Sequence, residues 1–143
     1  MAELRYRWLS ETSDEPLTVE RAEFVSHFIN WARENTSTHR CLVLTRTATA
    51  TATVIGMAWL AVLPRVPSPR ALHRTSGDLQ CVYVIPEERN TGLGGHLIDA
   101  ILSTAQTLGL ERVTVHSSPR AIPAYARHGF EPSPRLLHSH LAP

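Results

Sequence analysis

A chain of 143 residues with 43% hydrophobic and 19% charged residues has the make-up of one soluble globular domain, 1–143, large enough to bury a core. A formal net charge of +1 argues against nucleic acid or an anionic membrane as main partner, and 6% aromatics are too few for a base-stacking platform. No apolar run approaches the ~18 residues of a membrane span, the first residues lack the apolar core of a signal peptide, and Cys41 and Cys81 make no disulfide framework; a cytoplasmic location is expected.

Leu4, Trp8 and Leu9 at helical spacing predict a short first helix, and Ser13-Asp14-Glu15-Pro16 a loop after it. Thr18 opens a second helix striped by Phe24, Val25, Phe28, Ile29 and Ala32 and ending near Asn35. Residues 41–45 and 54–62 read as the arms of a hairpin. The alternating Ala/Thr tract 47–53 between them has no glycine, asparagine or aspartate turn signal and predicts a mobile turn. A proline-rich loop, 64–70, then runs on to His73, Arg74 and Gly77. It reads either as a surface connection or as a cover over an acceptor site, with Arg65, Arg70 and Arg74 attracting an acidic acceptor.

The stretch 79–95, LQCVYVIPEERNTGLGG, organises the rest. Val82, Tyr83, Val84 and Ile85 predict a buried strand that Pro86 stops. Arg89-Asn90-Thr91-Gly92-Leu93-Gly94 follows, and an amphipathic helix begins there, with Leu93, Leu97, Ile98, Ile101, Leu102, Ala105 and Leu108 on one face. A helix N-terminus with unpaired N–H groups behind two glycines is a ready phosphate cradle. No Gly-Lys-Ser/Thr follows the loop, which excludes a nucleotide-hydrolysing P-loop, and Leu97 stands where a dinucleotide fingerprint needs its third glycine. Gly109 marks the helix end, residues 112–116 predict a strand parallel to the central one, and 119–127 a short helix. After Pro132-Ser133-Pro134, residues 136–141 predict a last strand. The fold class is α+β: a mixed, mainly antiparallel twisted sheet with helices on both faces.

The string Val-x-Val-Ile-Pro-Glu-Glu-Arg-Asn-Thr-Gly-Leu-Gly-Gly closely resembles the acyl-CoA-binding motif of the GNAT superfamily of N-acetyltransferases. Ala121-Ile122-Pro123-Ala124-Tyr125-Ala126-Arg127-His128-Gly129-Phe130 resembles that superfamily's Ala-Ile-x-x-Tyr-x-x-x-Gly-Phe segment, in the right order and at the right separation. Members usually begin with a strand, and none is visible here. The resemblance implies a splayed parallel strand pair holding acetyl-CoA as co-substrate, and acetyl transfer to an amine of a small molecule or protein. It places the pyrophosphate on the N–H groups of Arg89, Asn90, Thr91, Gly92, Leu93, Gly94 and Gly95. It places the pantetheine arm along Val82, Tyr83 and Val84, and the thioester carbonyl on the Val84 N–H. Tyr125 matches the family's proton donor to the departing thiolate; its reference pKa is roughly 10 beside ~8.5 for a thiol. Ser118 stands where many members carry an asparagine that bonds the pantetheine arm.

The general base is less specified: Asp78 is the nearest carboxylate by sequence, with His116, His73 and ordered water as alternatives. His138 and His140 lack the acidic or cysteine neighbours of a metal site, so no metal is expected. A non-catalytic acyl-CoA-binding sensor or partner module stays open as the alternative function, as does a relative in fold alone. A homodimer through the His-rich last strand or the N-terminal sheet edge is a further expectation.

Overall fold

The computed structural model describes residues 1–13, 15–47 and 51–141. The elements run α1 (Ala2–Thr12), α2 (Arg21–Glu34), β1 (His39–Thr47), β2 (Ala52–Arg65), β3 (Arg74–Val84), α3 (Leu93–Thr107), β4 (Val113–Val115) and α4 (Ile122–Arg127), with a 3-10 turn at Pro86–Glu88 before α3. Residues 55–61 are buried without a break, the mark of a strand covered on both faces. That strand, β2, lies between β1 and β3 in the order β1-β2-β3-β4, antiparallel to both; β4 joins β3 in parallel. The expected mixed, mainly antiparallel sheet is therefore present.

Alternation along the strands sends side chains to two cores. Met57, Trp59 and Tyr83 pack under α1 and α2 with Trp8, Phe28 and Trp31. Leu60, Leu79 and Val84 pack under α3 with Leu97 and Ile101, and Tyr125 and Phe130 close that side. Helices cover both faces. Full burial of a residue such as Leu60 or Ile101 contributes roughly 1.5–3 kcal/mol.

Several boundaries move. The second helix starts at Arg21, three residues after Thr18, and the short fourth helix at Ile122, with Pro123 in its first turn. Gly109 ends α3 with φ +68 as expected. Residues 74–77, read as loop, are strand: Arg74 to Gly77 pair with Val62 to Arg65 of β2, a long hairpin arm overriding weak local propensity. No strand precedes α1 among the described residues. The predicted strand at 136–141 is exposed coil, because no strand among the described residues pairs with it. Part of the Ala/Thr turn, 48–50, lies outside the described residues.

Candidate acyl-CoA site

The sequence-predicted cradle is open. Gly92, the residue before α3, has φ +85, and Asn90 has φ +64; two left-handed residues so close curl the backbone into a concave nest. No side chain caps α3, and among the described residues the N–H groups of Asn90, Thr91, Gly92, Leu93, Gly94 and Gly95 have no protein acceptor. A β-carbon on Gly94 would meet nothing within 4 Å. Empty space in front of unclaimed N–H groups at a helix N-terminus fits a diphosphate.

Two predicted contacts change. The Arg89 N–H is spent on the Pro86 carbonyl at 3.2 Å, and the side chain turns inward. Its Nε donates to the Val84 carbonyl at 3.0 Å, its Nη2 to Glu11 at 3.1 Å, and the guanidinium lies 5.4 Å from the Tyr83 ring centroid. Arg89 thus braces the loop, and the N–H groups left unclaimed are those of residues 90–95. Gly95 does owe its identity to a close approach, but from within: a β-carbon there would lie 2.7 Å from His128 Nε2, a ring held by Asp99 at 2.6 Å.

Glu11 gathers this region. It takes hydrogen bonds from Arg7, Tyr83 and Arg89 at 2.7, 3.1 and 3.1 Å. Burial alone would raise its pKa, but those bonds outweigh it and hold the carboxyl below the usual range. Sequence reasoning missed Glu11, which lies 78 residues from Arg89 and carries no motif.

The splay comes from a register slip. β4 pairs with β3 only from Gly77 to Leu79, while β3 runs on to Val84. Before Gln80, odd-numbered residues face β4: the Gly77 N–H donates to the Arg112 carbonyl at 2.8 Å, and the Thr75 carbonyl accepts from Glu111. Pairing then jumps from Leu60–Leu79 to Trp59–Cys81, leaving Gln80 as the extra residue of a bulge. After it the odd residues face β2, as the Ile85 N–H to Ile55 bond at 3.0 Å requires. Val82 and Val84 therefore turn their N–H groups toward the vacant side of β3. Tyr83 does not. Its backbone pairs with Met57, it is 3% exposed, and its ring stacks on Trp8, which removes it from the expected pantetheine contacts.

Tyr125 is half-buried, edge-on to Phe130 at 5.4 Å, with no hydrogen bond to its hydroxyl among the described residues. It lines a cleft of about 670 Å³ along β4. Burial, and then the nearby Cys81, raise its pKa. Asp78 sits in mid-strand rather than at its start, on the α1/α2 face, with Gln80 Nε2 at 3.3 Å and Thr114 Oγ1 at 3.5 Å. Ser118 is exposed in the turn before α4, its carbonyl taking the Ala121 N–H at 2.9 Å. His116 is exposed, its ring 6.3 Å from that of His138.

His73 and the proline-rich loop lie at the opposite end of β3. Arg74 and Gln80 are six residues apart on one strand, about 20 Å at ~3.3 Å per residue. Arg65 and Arg74 are moreover paired with Glu111, at 2.9 and 2.6 Å. Two of the three arginines of the acidic-acceptor reading are thereby occupied, and His73 lies far along the strand from Gln80. Cys81 is half-buried, and burial raises its pKa. Among the described residues no group of three metal-ligating side chains converges, and no helix is long and apolar enough to cross a membrane.

A mixed sheet whose parallel pair parts beside an uncapped glycine nest is the architecture of an acyl-CoA-dependent transferase. The family model for the acetyltransferase (GNAT) family matches residues 4–130, and the chain belongs to that family. Among solved structures, a predicted acetyltransferase from Clostridium acetobutylicum, crystallised with acetyl-CoA, superposes with TM-score 0.75 at 19% identity over 97% of this chain and 86% of its own. A Trypanosoma brucei acetyltransferase gives 0.72 at 22% identity over 98% and 92%. Glucosamine-6-phosphate N-acetyltransferase from Arabidopsis thaliana gives 0.72 at 14% identity over 99% and 89%. These likenesses establish the fold. A comparison with curated protein sequences finds no match.

Proposed function

We propose that this protein is an N-acetyltransferase that moves the acetyl group of acetyl-CoA to an amine by direct attack. The observation that carries the proposal is the join of two vacancies: the N–H nest at residues 90–95 and the unpaired edge of β3 at Val82 and Val84. One holds a diphosphate, and the other pairs with the amides of a pantetheine arm. Acetyl-CoA supplies the activated thioester. The amine nitrogen forms the new C–N bond as the C–S bond breaks; Tyr125 gives a proton to the departing thiolate, and Asp78 receives the proton lost by the amine.

Two carboxylates serve the α1/α2 side, and their surroundings choose between them. Glu11 is neutralised by Arg7 and Arg89, which makes it a poor proton acceptor. Asp78 has only neutral partners in Gln80 and Thr114. Of the two free N–H groups, that of Val84 polarises the thioester carbonyl in this reading, as the family resemblance implies, and that of Val82 pairs with the arm. Ser118 offers the arm one hydroxyl.

Gly94→Val tests the cradle. The new β-carbon meets no protein atom within 4 Å and the position needs no left-handed backbone, so the fold is expected to be retained. CoA affinity by calorimetry is expected to fall at least tenfold with the melting temperature little changed; unchanged affinity removes the loop from the site. Thiol release from acetyl-CoA with a panel of amines tests transfer. Tight CoA binding without turnover on any amine would favour the non-catalytic module.

A further inference from the structure

On the α1/α2 face a second cleft, of about 380 Å³, opens beside the bulge, within the size range of small-molecule sites. Phe24, Phe28, Trp31 and Trp59 supply aromatic walls, with Phe28 edge-on to Trp59 at 5.6 Å and Trp31 tilted against Trp59 at 5.3 Å. Gln80, the bulge residue, is in the wall and bonds Asp78, so the cleft adjoins the carboxylate assigned as base. Arg5 is the strongly charged group present, and no Asp or Glu lines the space. Its guanidinium lies 4.5 Å from the Trp8 ring centroid, and no carboxylate pairs with it among the described residues. The wall also holds a donor without an acceptor: Trp59 is 6% exposed, and its Nε1–H is buried with no partner.

We infer that this cleft is the acceptor site and takes an amine bearing both an aromatic body and a carboxylate, the chemistry of an aromatic amino acid. The inference rests on the transfer reading above and names its second substrate. Aromatic rings stack offset or edge-on with the four wall residues, which a polar sugar amine or a lysine chain would leave unsatisfied. An unpaired guanidinium over an apolar wall calls for an oxyanion, and its planar fork matches a carboxylate in two hydrogen bonds. With the ring between α2 and β2 and the carboxylate toward Arg5 on α1, the amine is left to face Gln80 and Asp78. The sheet opens there.

Three acceptors separate the contributions: L-phenylalanine, phenethylamine, which lacks the carboxylate, and L-alanine, which lacks the ring. Thiol release from acetyl-CoA gives kcat/KM for each, and calorimetry on the CoA-loaded protein gives their affinities without turnover. Phenylalanine is expected to exceed both truncated acceptors at least tenfold. Arg5→Gln should bring phenylalanine down to the level of phenethylamine, and Arg5→Lys should restore part of the difference. Equal or better use of alanine or phenethylamine by the wild type overturns the assignment, and so does an unchanged preference in a folded Arg5→Gln protein. The wild-type ranking decides even if that variant fails to fold. Selective binding of phenylalanine with no turnover sinks transfer and keeps the ligand class. Turnover of other amines, with phenylalanine neither bound nor used, does the reverse.

Discussion

Tyr125 stands against Phe130, and burial is the main reason its pKa lies above the ordinary tyrosine value. A phenol with a higher pKa stays protonated throughout the neutral range but gives its proton up less readily. The departing thiolate is desolvated by the same surroundings, which raises its basicity and narrows the gap. Tyr125→Phe keeps the ring and its packing while deleting the hydroxyl. It is expected to lower kcat by ~10² to 10⁴-fold at constant CoA affinity. The melting temperature, measured alongside, should hold, since the hydroxyl makes no bond among the described residues. Wild-type turnover in a folded, CoA-binding variant, with chemistry limiting the rate, would return Tyr125 to a packing role. Raised pKa also predicts that no alkaline limb from this group enters the kcat profile below pH ~10.

α1 and the phosphate loop are one mechanical unit. Glu11, near the C-terminus of α1, holds Arg89; Arg89 holds the Val84 carbonyl; and Arg7, one turn before Glu11, reaches Glu87 at 2.7 Å. Arg46 of β1 adds a bond to Glu88 from the other side. Exposed ion pairs of this kind each contribute little, so the network matters by fixing the loop's angle more than by adding stability. Because the Glu11 carboxyl is held below its ordinary value, its contribution is present above the unfolded pKa near ~4.3 and is lost as pH falls through the lower folded value. Glu11→Gln should therefore show a smaller drop in melting temperature than the wild type across that acidic window. At neutral pH it should weaken CoA binding severalfold by releasing Arg89 from one of its supports. Identical acid profiles for the two proteins would show that Glu11 is not coupled to folding.

The whole sheet ends on β4, three residues long, and the chain beyond Phe130 pairs with nothing described. Leu136, Leu137 and Leu141 in that tail are 56%, 88% and 88% exposed. We propose that a second copy covers this short edge and the exposed leucines; the homodimer expected through a last strand at 136–141 does not have that strand to pair with, since those residues are coil. Sedimentation of the 15.9 kDa chain at micromolar concentration is expected to show a dimer, and Leu137→Asp to shift it toward monomer with little change in melting temperature. A lone monomer in the wild type would end that proposal.

Much of this was legible from sequence because it is local. Gly92 and Gly94, the helical stripe from Leu93 to Ala105, and the two motifs around Val82 and Tyr125 are all short-range patterns with their own physical cause. They determined the family and the order of the central elements. Tertiary structure decided the rest. The bulge at Gln80 has no glycine to announce it, yet it alone turns Val82 and Val84 to the open edge and Tyr83 away from it. Arg89 looked like a phosphate ligand until a carboxylate 78 residues earlier claimed it. Arg65 and Arg74 looked free until Glu111 paired with both. The aromatic cleft gathers Arg5, Phe28, Trp59 and Gln80 from four elements. Backbone geometry and helical periodicity are written in neighbouring residues, whereas the partner of a charge or a ring is set by which elements the fold brings together.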